Sequence, residues 1–327
     1  MKKYIVLLLV TTIFANSSLE SNNKFCIDLY KQFISESSST FENFIFSPYS
    51  IISAFAMVAE GATHENKEEM YSVLHYPDNL DSLHFHYSKI NQYFNRIIKD
   101  YDFNIANSLW YTPNYKFLPS YFNKIEKYYE ATLFNYIDRV KINTWVEERT
   151  NNIIKDLLPP GSVNSFTKLV LCNAIYFKDD WKIPFDSTST KERIFYLNNS
   201  QKTSTLMMLA KMNARMIGLD RYSMLEMEYD SQDLSMVIIL PNAGVTLNEI
   251  EQNLNHYELM NSLESLTNRR LNKIFVGIPK FKMETKSRLK KYLKSLGMNL
   301  AFESRKPELF LKMIPYPNHP DNAIFID

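Results

Sequence analysis

Histidine is the first residue to weigh, since imidazole serves as metal ligand, general base and pH-sensitive cation. There are 6. His64-Glu65 begins like a zinc-binding HExxH helix, but no second histidine follows four residues on. His84 and His86 stand two apart, a ligand spacing for a strand. Their stretch reads as helical, where that spacing sends them to different faces, so they read as two surface histidines. Cys26 and Cys172 form no CxxC motif. They read as one disulfide or as two buried free thiols, and the apolar run LVLCNAIYF around Cys172 favours the second. No GxSxG elbow occurs, and the members of a Ser-His-Asp triad need not be near in sequence. The 6 glycines include no GxGxxG and no Walker loop to cradle phosphates. The expectation is no metal, no cofactor and no enzyme.

Lysine and arginine offer a different chemistry. KSRLKKYLKSLGM carries Lys286, Arg288, Lys290, Lys291 and Lys294 on a predicted helix. Such a cluster either meets a polyanion such as a glycosaminoglycan or is a solvated helix face. Arg269-Arg270 is open to the same two readings. Over all 327 residues, 37 basic against 36 acidic side chains leave a net charge of +1, which argues against nucleic acid as a partner. Asn198-Asn199-Ser200 is a glycosylation sequon, meaningful only on an exported chain.

The elements that must position these residues follow from periodicity. Helices are expected over 23–37, 51–59, 65–74 and 83–98, the second apolar on all sides and so central. An amphipathic helix is expected over 141–158, stopped by Pro159-Pro160-Gly161, and another over 289–296, capped by Gly297. Short strands are expected at 44–46, 274–278 and 281–283, and an alternating one at 103–111. The runs 169–177 and 234–240 read as strands buried on both faces. With 45% apolar residues and no linker or repeat, residues 16–327 read as one α+β mixed domain.

The N-terminus reads separately. Lys2 and Lys3 precede the apolar or neutral run Tyr4–Phe14, and Ala15 stands at a plausible cleavage point. The run is too short to span a bilayer. Residues 1–15 are expected to be an export signal, and the protein secreted, with no membrane partner.

Several segments then carry a resemblance. NFIFSPYSIISAFAMVAEGA at 43–62, INTWVEERTNNIIKDLLPPGSV at 142–163 and LVLCNAIYFKDDWKIPF at 169–185 resemble successive segments of the serpin family. TLMML, LSMVIILPN and VGIPKFKMETKSRLKKYLKSLGMNLAF follow in serpin order, so the likeness runs from about Asn23 to Phe302. It implies helices packed on large, mostly antiparallel sheets, in a monomer. It also implies inhibition of serine or cysteine proteases by a cleaved loop that inserts into the main sheet as an extra strand. Ser47, Ser50 and Asn173 fall at the family's shutter, under the strands that part, and Trp181 and Lys280 at its breach, at the top of that sheet.

The likeness stops in ESRKPELFLKMIPYPNHPDNAIFID, where the family's small-residue hinge, reactive bond and last strands are not recognisable. Pro307, Pro315, Pro317 and Pro320 argue against a central strand there. A serpin with a truncated C-terminal part is therefore expected, its trapping impaired. The alternatives are a non-inhibitory binding protein on the same scaffold, or a non-functional product.

Overall fold

A computed structural model describes residues 5–10, 17–36, 43–93, 95, 102–197, 201–231, 234–303, 310 and 312–314. The sequon at Asn198 and the tail prolines lie outside them. The chain divides into two compact units. One holds residues 1–15, 27–46 and 179–287, and the other holds 16–26, 47–178 and 288–327. Among the described residues, no helix is long and apolar enough to cross a membrane.

The first unit is built on strands β1 (Ile5–Val10), β5 (Lys191–Tyr196), β6 (Lys202–Gly218), β7 (Tyr222–Glu228), β8 (Leu234–Pro241) and β9 (Asn272–Pro279). Their order is β1-β8-β7-β6-β5, with β9 also on β6, and every pairing is antiparallel. β6 is long enough to serve three partners in turn, β5 at its start, β9 in its middle and β7 at its end. Helices α7 (Leu247–Asn253) and α8 (His256–Thr267) bring Ile250, Leu259, Leu263 and Leu266 onto Tyr222, Met224, Val237 and Ile239. A capping box, Thr246 with Glu249, starts α7.

The second unit has the sheet β3-β2-β4, from β2 (Asp102–Tyr111), β3 (Thr132–Phe134) and β4 (Leu169–Lys178). β2 and β4 pair antiparallel over ten residues, from Asp102↔Lys178 to Tyr111↔Leu169, and β3 runs parallel to β2. Among the described residues the far edge of β4 carries no strand. Around the sheet lie α2 (Pro48–Ala59), α3 (His64–Val73), α4 (Leu80–Gln92), α5 (Pro119–Tyr129), α6 (Arg139–Arg149) and α9 (Lys290–Ser295). Both α2 and α6 pack on β4. α6 covers Cys172 and Ala174 with Ile142, Trp145 and Val146. Helix α1 (Ser17–Glu36) contributes residues to both units.

This α+β architecture is the expected one, and several expected boundaries move for physical reasons. Asn43–Ser47 is not a strand. Phe44 and Phe46 pack their rings on Tyr30 and Phe33 of α1, and the Ile45 N–H donates to Thr285 Oγ1 at 2.9 Å. The helix expected over 141–158 ends at Arg149, because Asn151 and Asn152 adopt left-handed backbone (φ 50° and 60°). The chain then doubles back, and Leu158 is tied to the helix it has left. Its N–H donates to Asn143 Oδ1 (2.8 Å) and its carbonyl accepts from Asn143 Nδ2 (3.0 Å) and Arg139 (3.0 Å). The apolar residues of 153–158 match the helical pattern without being helix. Residues 281–283 form no strand either.

Candidate functional site

In the second unit the candidate site is the junction of α2 with the β2–β4 pair. Ser47 is the N-cap of α2, in extended backbone (φ −104°, ψ 106°), and its Oγ accepts from Ser50 N–H at 3.2 Å. Pro48 follows at the first helical position, where its missing N–H costs nothing. The rest of α2 is apolar and enters the interior beyond this end, with Ile52, Ser53, Ala56 and Met57 buried.

Asn173 lies on β4 directly opposite Asn107 on β2. Its Nδ2 donates to Asn107 Oδ1 at 2.8 Å, and Asn107 Nδ2 donates onward to the Tyr129 carbonyl at 2.8 Å. The chain of amides thus ties β4 through β2 to the end of α5. Asn107 is 3% exposed. Asn173 Oδ1 is buried with no hydrogen-bond partner among the described residues. A desolvated acceptor of this kind costs about 1–3 kcal/mol until something donates to it. Asn107 escaped the sequence reading. The signal was an amide standing between Ile105 and Leu109 on one face of the strand.

The predicted breach residues lie in the first unit. Trp181 makes an isolated antiparallel bridge to Tyr229 and stacks on its ring (centroids 4.6 Å apart, 11° between planes). It also packs on the cluster of Met212, Met227, Val276 and Ile278. Beside it runs a charged ladder. Lys182 Nζ pairs with Glu228 at 2.5 Å, and Arg215 Nη1 pairs with Glu228 (2.6 Å) and Glu226 (3.1 Å). Ser235 Oγ donates to Glu226 at 2.9 Å. Burial alone would push the Glu228 carboxyl up, but hydrogen bonds from Lys182 and Arg215 hold it below the usual carboxylate value. Lys280, two residues beyond Ile278, is exposed and donates its backbone N–H to the Leu206 carbonyl at 2.9 Å.

Two readings from sequence need correction. His84 and His86 are not surface histidines. Each is 6% exposed. His86 has its pKa lowered by burial. His84 Nε2 meets the Glu60 carboxylate, which also takes Lys124 Nζ (3.1 Å) and Tyr129 Oη (3.0 Å). Glu60, a lone acid at the end of an apolar helix, was the sequence signal for that cluster. The basic stretch is not one helix face, because α9 begins only at Lys290 and leaves Lys286 and Arg288 ahead of it. Lys290 and Lys291 lie over the rings of Phe302 (5.8 Å) and Tyr292 (4.4 Å). Gly297 does cap that helix, with φ 113°. Cys26 and Cys172 are free thiols, each pushed up to about 12 by burial.

Comparison with known proteins places this arrangement. The family model for serpins, serine protease inhibitors, matches residues 20–317. The chain belongs to the serpin family. Human Serpin B3 is 35% identical over 308 residues, covering 86% of this chain and 78% of that protein. The leukocyte elastase inhibitor of Xenopus tropicalis is 36% identical over 299 residues, covering 87% and 78%. An uncharacterized serpin-like protein of Methanosarcina mazei is 35% identical over 292 residues, covering 86% and 67%. Among solved structures, emu ovalbumin superposes with a TM-score of 0.82 at 28% identity, over 91% of this chain and 81% of that one. Cleaved kallistatin complexed with heparin gives 0.80 at 27%, over 90% and 89%. The serpin fold is therefore shared along most of the chain, and protease inhibition is the general function that membership supports.

Proposed function

We propose that this serpin is a secreted inhibitor of serine proteases that acts without turnover, its sheet β3-β2-β4 taking up an additional strand at the far edge of β4. One observation carries the reading. That edge is without a strand among the described residues, and directly on it Asn173 Oδ1 is buried and without a hydrogen-bond donor. A strand arriving there gains a backbone ladder and can satisfy the orphaned acceptor. Within the first unit, the stacking of Trp181 on Tyr229 and the Lys182–Glu228–Arg215 ladder brace the segment that the family likeness assigns to the breach. Secretion is supported by Lys2, Lys3 and the apolar run Tyr4–Phe14.

A second reading, a non-inhibitory binding protein on the same scaffold, is favoured by the composition of 303–327, which holds four prolines and no run of small residues. For that role the basic residues Lys290, Lys291 and Lys294 are a surface for a glycosaminoglycan. A denaturing gel after incubation with trypsin-, chymotrypsin- and elastase-like proteases decides between them. A band at the summed mass supports the inhibitor. Cleavage or no change, with no such band at any protease, refutes it.

A further inference from the structure

In the first unit, β9 is a sheet edge. Among the described residues it pairs with β6 alone, from Asn272↔Ala214 to Pro279↔Met207. In an antiparallel pair only every second residue bonds to the partner strand. Lys280, just past β9, donates its N–H to the Leu206 carbonyl at 2.9 Å, so the bonded set runs back through Ile278, Val276 and Ile274. The N–H and C=O groups of Lys273, Phe275 and Gly277 therefore point away from β6, toward an edge that carries no strand among the described residues. Proline stands only at the end of β9, at Pro279, and leaves those outward N–H groups open to a partner.

The side chains of the same residues share the outer face of the sheet, while Val276 and Ile278 enter the core. Phe275 is 69% exposed. Its cross-strand neighbour is Lys211, and that of Lys273 is Asn213. A Cβ at Gly277 would stand 3.0 Å from Leu209 Cδ2 and 3.5 Å from Met207 Cγ, so two apolar side chains of β6 lean over the glycine. The charge is one-sided. Residues 269–283 carry Arg269, Arg270, Lys273, Lys280 and Lys282 and no acid, and the paired stretch 207–214 of β6 adds Lys211 and no acid. All of these cations are exposed, and none enters an ion pair among the described residues.

We propose that β9 takes up an extended acidic segment of a partner protein as an added antiparallel strand, with apolar side chains over Phe275 and Gly277 and carboxylates beside Lys273 and the Arg269-Arg270 turn. The backbone supplies the ladder, and the alternation of lysine, phenylalanine and glycine supplies the selection. Two considerations choose this occupant. Antiparallel pairing with β9 of a second copy would bring Arg269, Arg270, Lys273 and Lys280 of both chains together, and like charges across strands repel. A sulfated polyanion would use the cations but leave Phe275 and the outward N–H groups unused. Such binding is independent of whether the protein traps a protease.

The test is residue-resolved amide hydrogen exchange of the full chain, with and without a capped peptide in which threonine alternates with leucine, valine, glutamate and glutamate, in that order. In the free protein the amides of Lys273, Phe275 and Gly277 should exchange roughly tenfold faster or more than those of Ile274, Val276 and Ile278. Saturating peptide should slow the outward set by roughly tenfold or more, with a Kd on the order of 100 μM at low salt that weakens as salt rises. Replacing both glutamates by lysine, or N-methylating the peptide amides that face β9, should each weaken binding roughly tenfold. Lys273→Glu should do the same, and Phe275→Thr, at an exposed strand position that threonine suits, should weaken binding about threefold. Protection of the outward amides in the free protein shows that the chain itself or a second copy already covers the edge, and overturns the proposal. Equal binding of the lysine peptide, or no effect of Lys273→Glu, overturns it as well. Equal binding of the N-methylated peptide also overturns it and makes the patch a plain anion surface.

Discussion

The Asn173–Asn107 pair gives the sharpest test of how β4 is held. Asn173→Ala removes one neutral hydrogen bond at 2.8 Å, worth about 1 kcal/mol, and strands Asn107 Oδ1 in the interior, at about 1–3 kcal/mol. Against this, the substitution deletes the orphaned Asn173 Oδ1, which already costs the native state a similar amount. The net loss should be about 1–2 kcal/mol. Asn107→Ala breaks two bonds, one to Asn173 and one to the Tyr129 carbonyl, and should cost about 2–4 kcal/mol. The two losses share one bond, so the double variant should be about 1 kcal/mol more stable than their sum predicts. Urea unfolding of the four proteins, at constant denaturant slope, measures this. Additivity within about 0.3 kcal/mol would refute the cross-strand bond as an energetic unit. A stabilised Asn173→Ala would show instead that the orphaned acceptor outweighs the bond, and such a variant should also take up an added strand less readily.

Three further outcomes follow. Glu60 has its pKa held below the usual 4.5, so its contribution is present above that value and is lost as pH falls through the lowered one. Glu60→Gln should flatten the acid side of the stability–pH curve, and an unchanged curve counts against the buried cluster. Gly61→Ala would place a Cβ 2.5 Å from Met313 Cβ, in a segment where Lys312 N–H donates to the Gly61 carbonyl and Met313 is 1% exposed. Overpacking should cost about 1–3 kcal/mol, with Met313→Gly, which removes that Cβ, relieving most of that increment in the double variant; independent effects in thermal melts would disprove the clash. The thiols of Cys26 and Cys172, pushed up to about 12, should resist a disulfide reagent at pH 8 in the native state and react on unfolding. Prompt native labelling of Cys172 would contradict its burial.

Much of the scaffold was legible because the residues spoke about their own neighbourhood. The all-apolar α2, the strands β4 and β8, and the Gly297 cap were set by local pattern. Ser47 ahead of that apolar run is its N-cap, although the helix begins at Pro48 rather than at the expected Ile51. What sequence could not show was pairing at a distance. Asn107 and Asn173 stand 66 residues apart, and Glu60 and His84 stand 24 apart. No periodicity says that a lone acid and a histidine will meet, although a carboxylate in an apolar helix announces that some partner must. The 153–158 error has the same origin. Ile153, Ile154 and Leu157 are exposed, and the chain is held back along the helix at Leu158, by Asn143 fifteen residues away and by Arg139.

Strand β1 carries a consequence in time. Ile5–Val10 pairs residue by residue with β8, from Ile5↔Ile239 to Val10↔Leu234. The same six residues form the core of the expected export signal. On a growing chain they emerge more than 200 residues before the partner strand is made, which at ~5–20 residues per second is a wait of roughly 10–45 s. If the segment serves as the proposed export signal, the export machinery would meet it long before the sheet could claim it. The choice between leader and strand is one of order of arrival, and it would shift toward the strand only for chains completed before they are engaged.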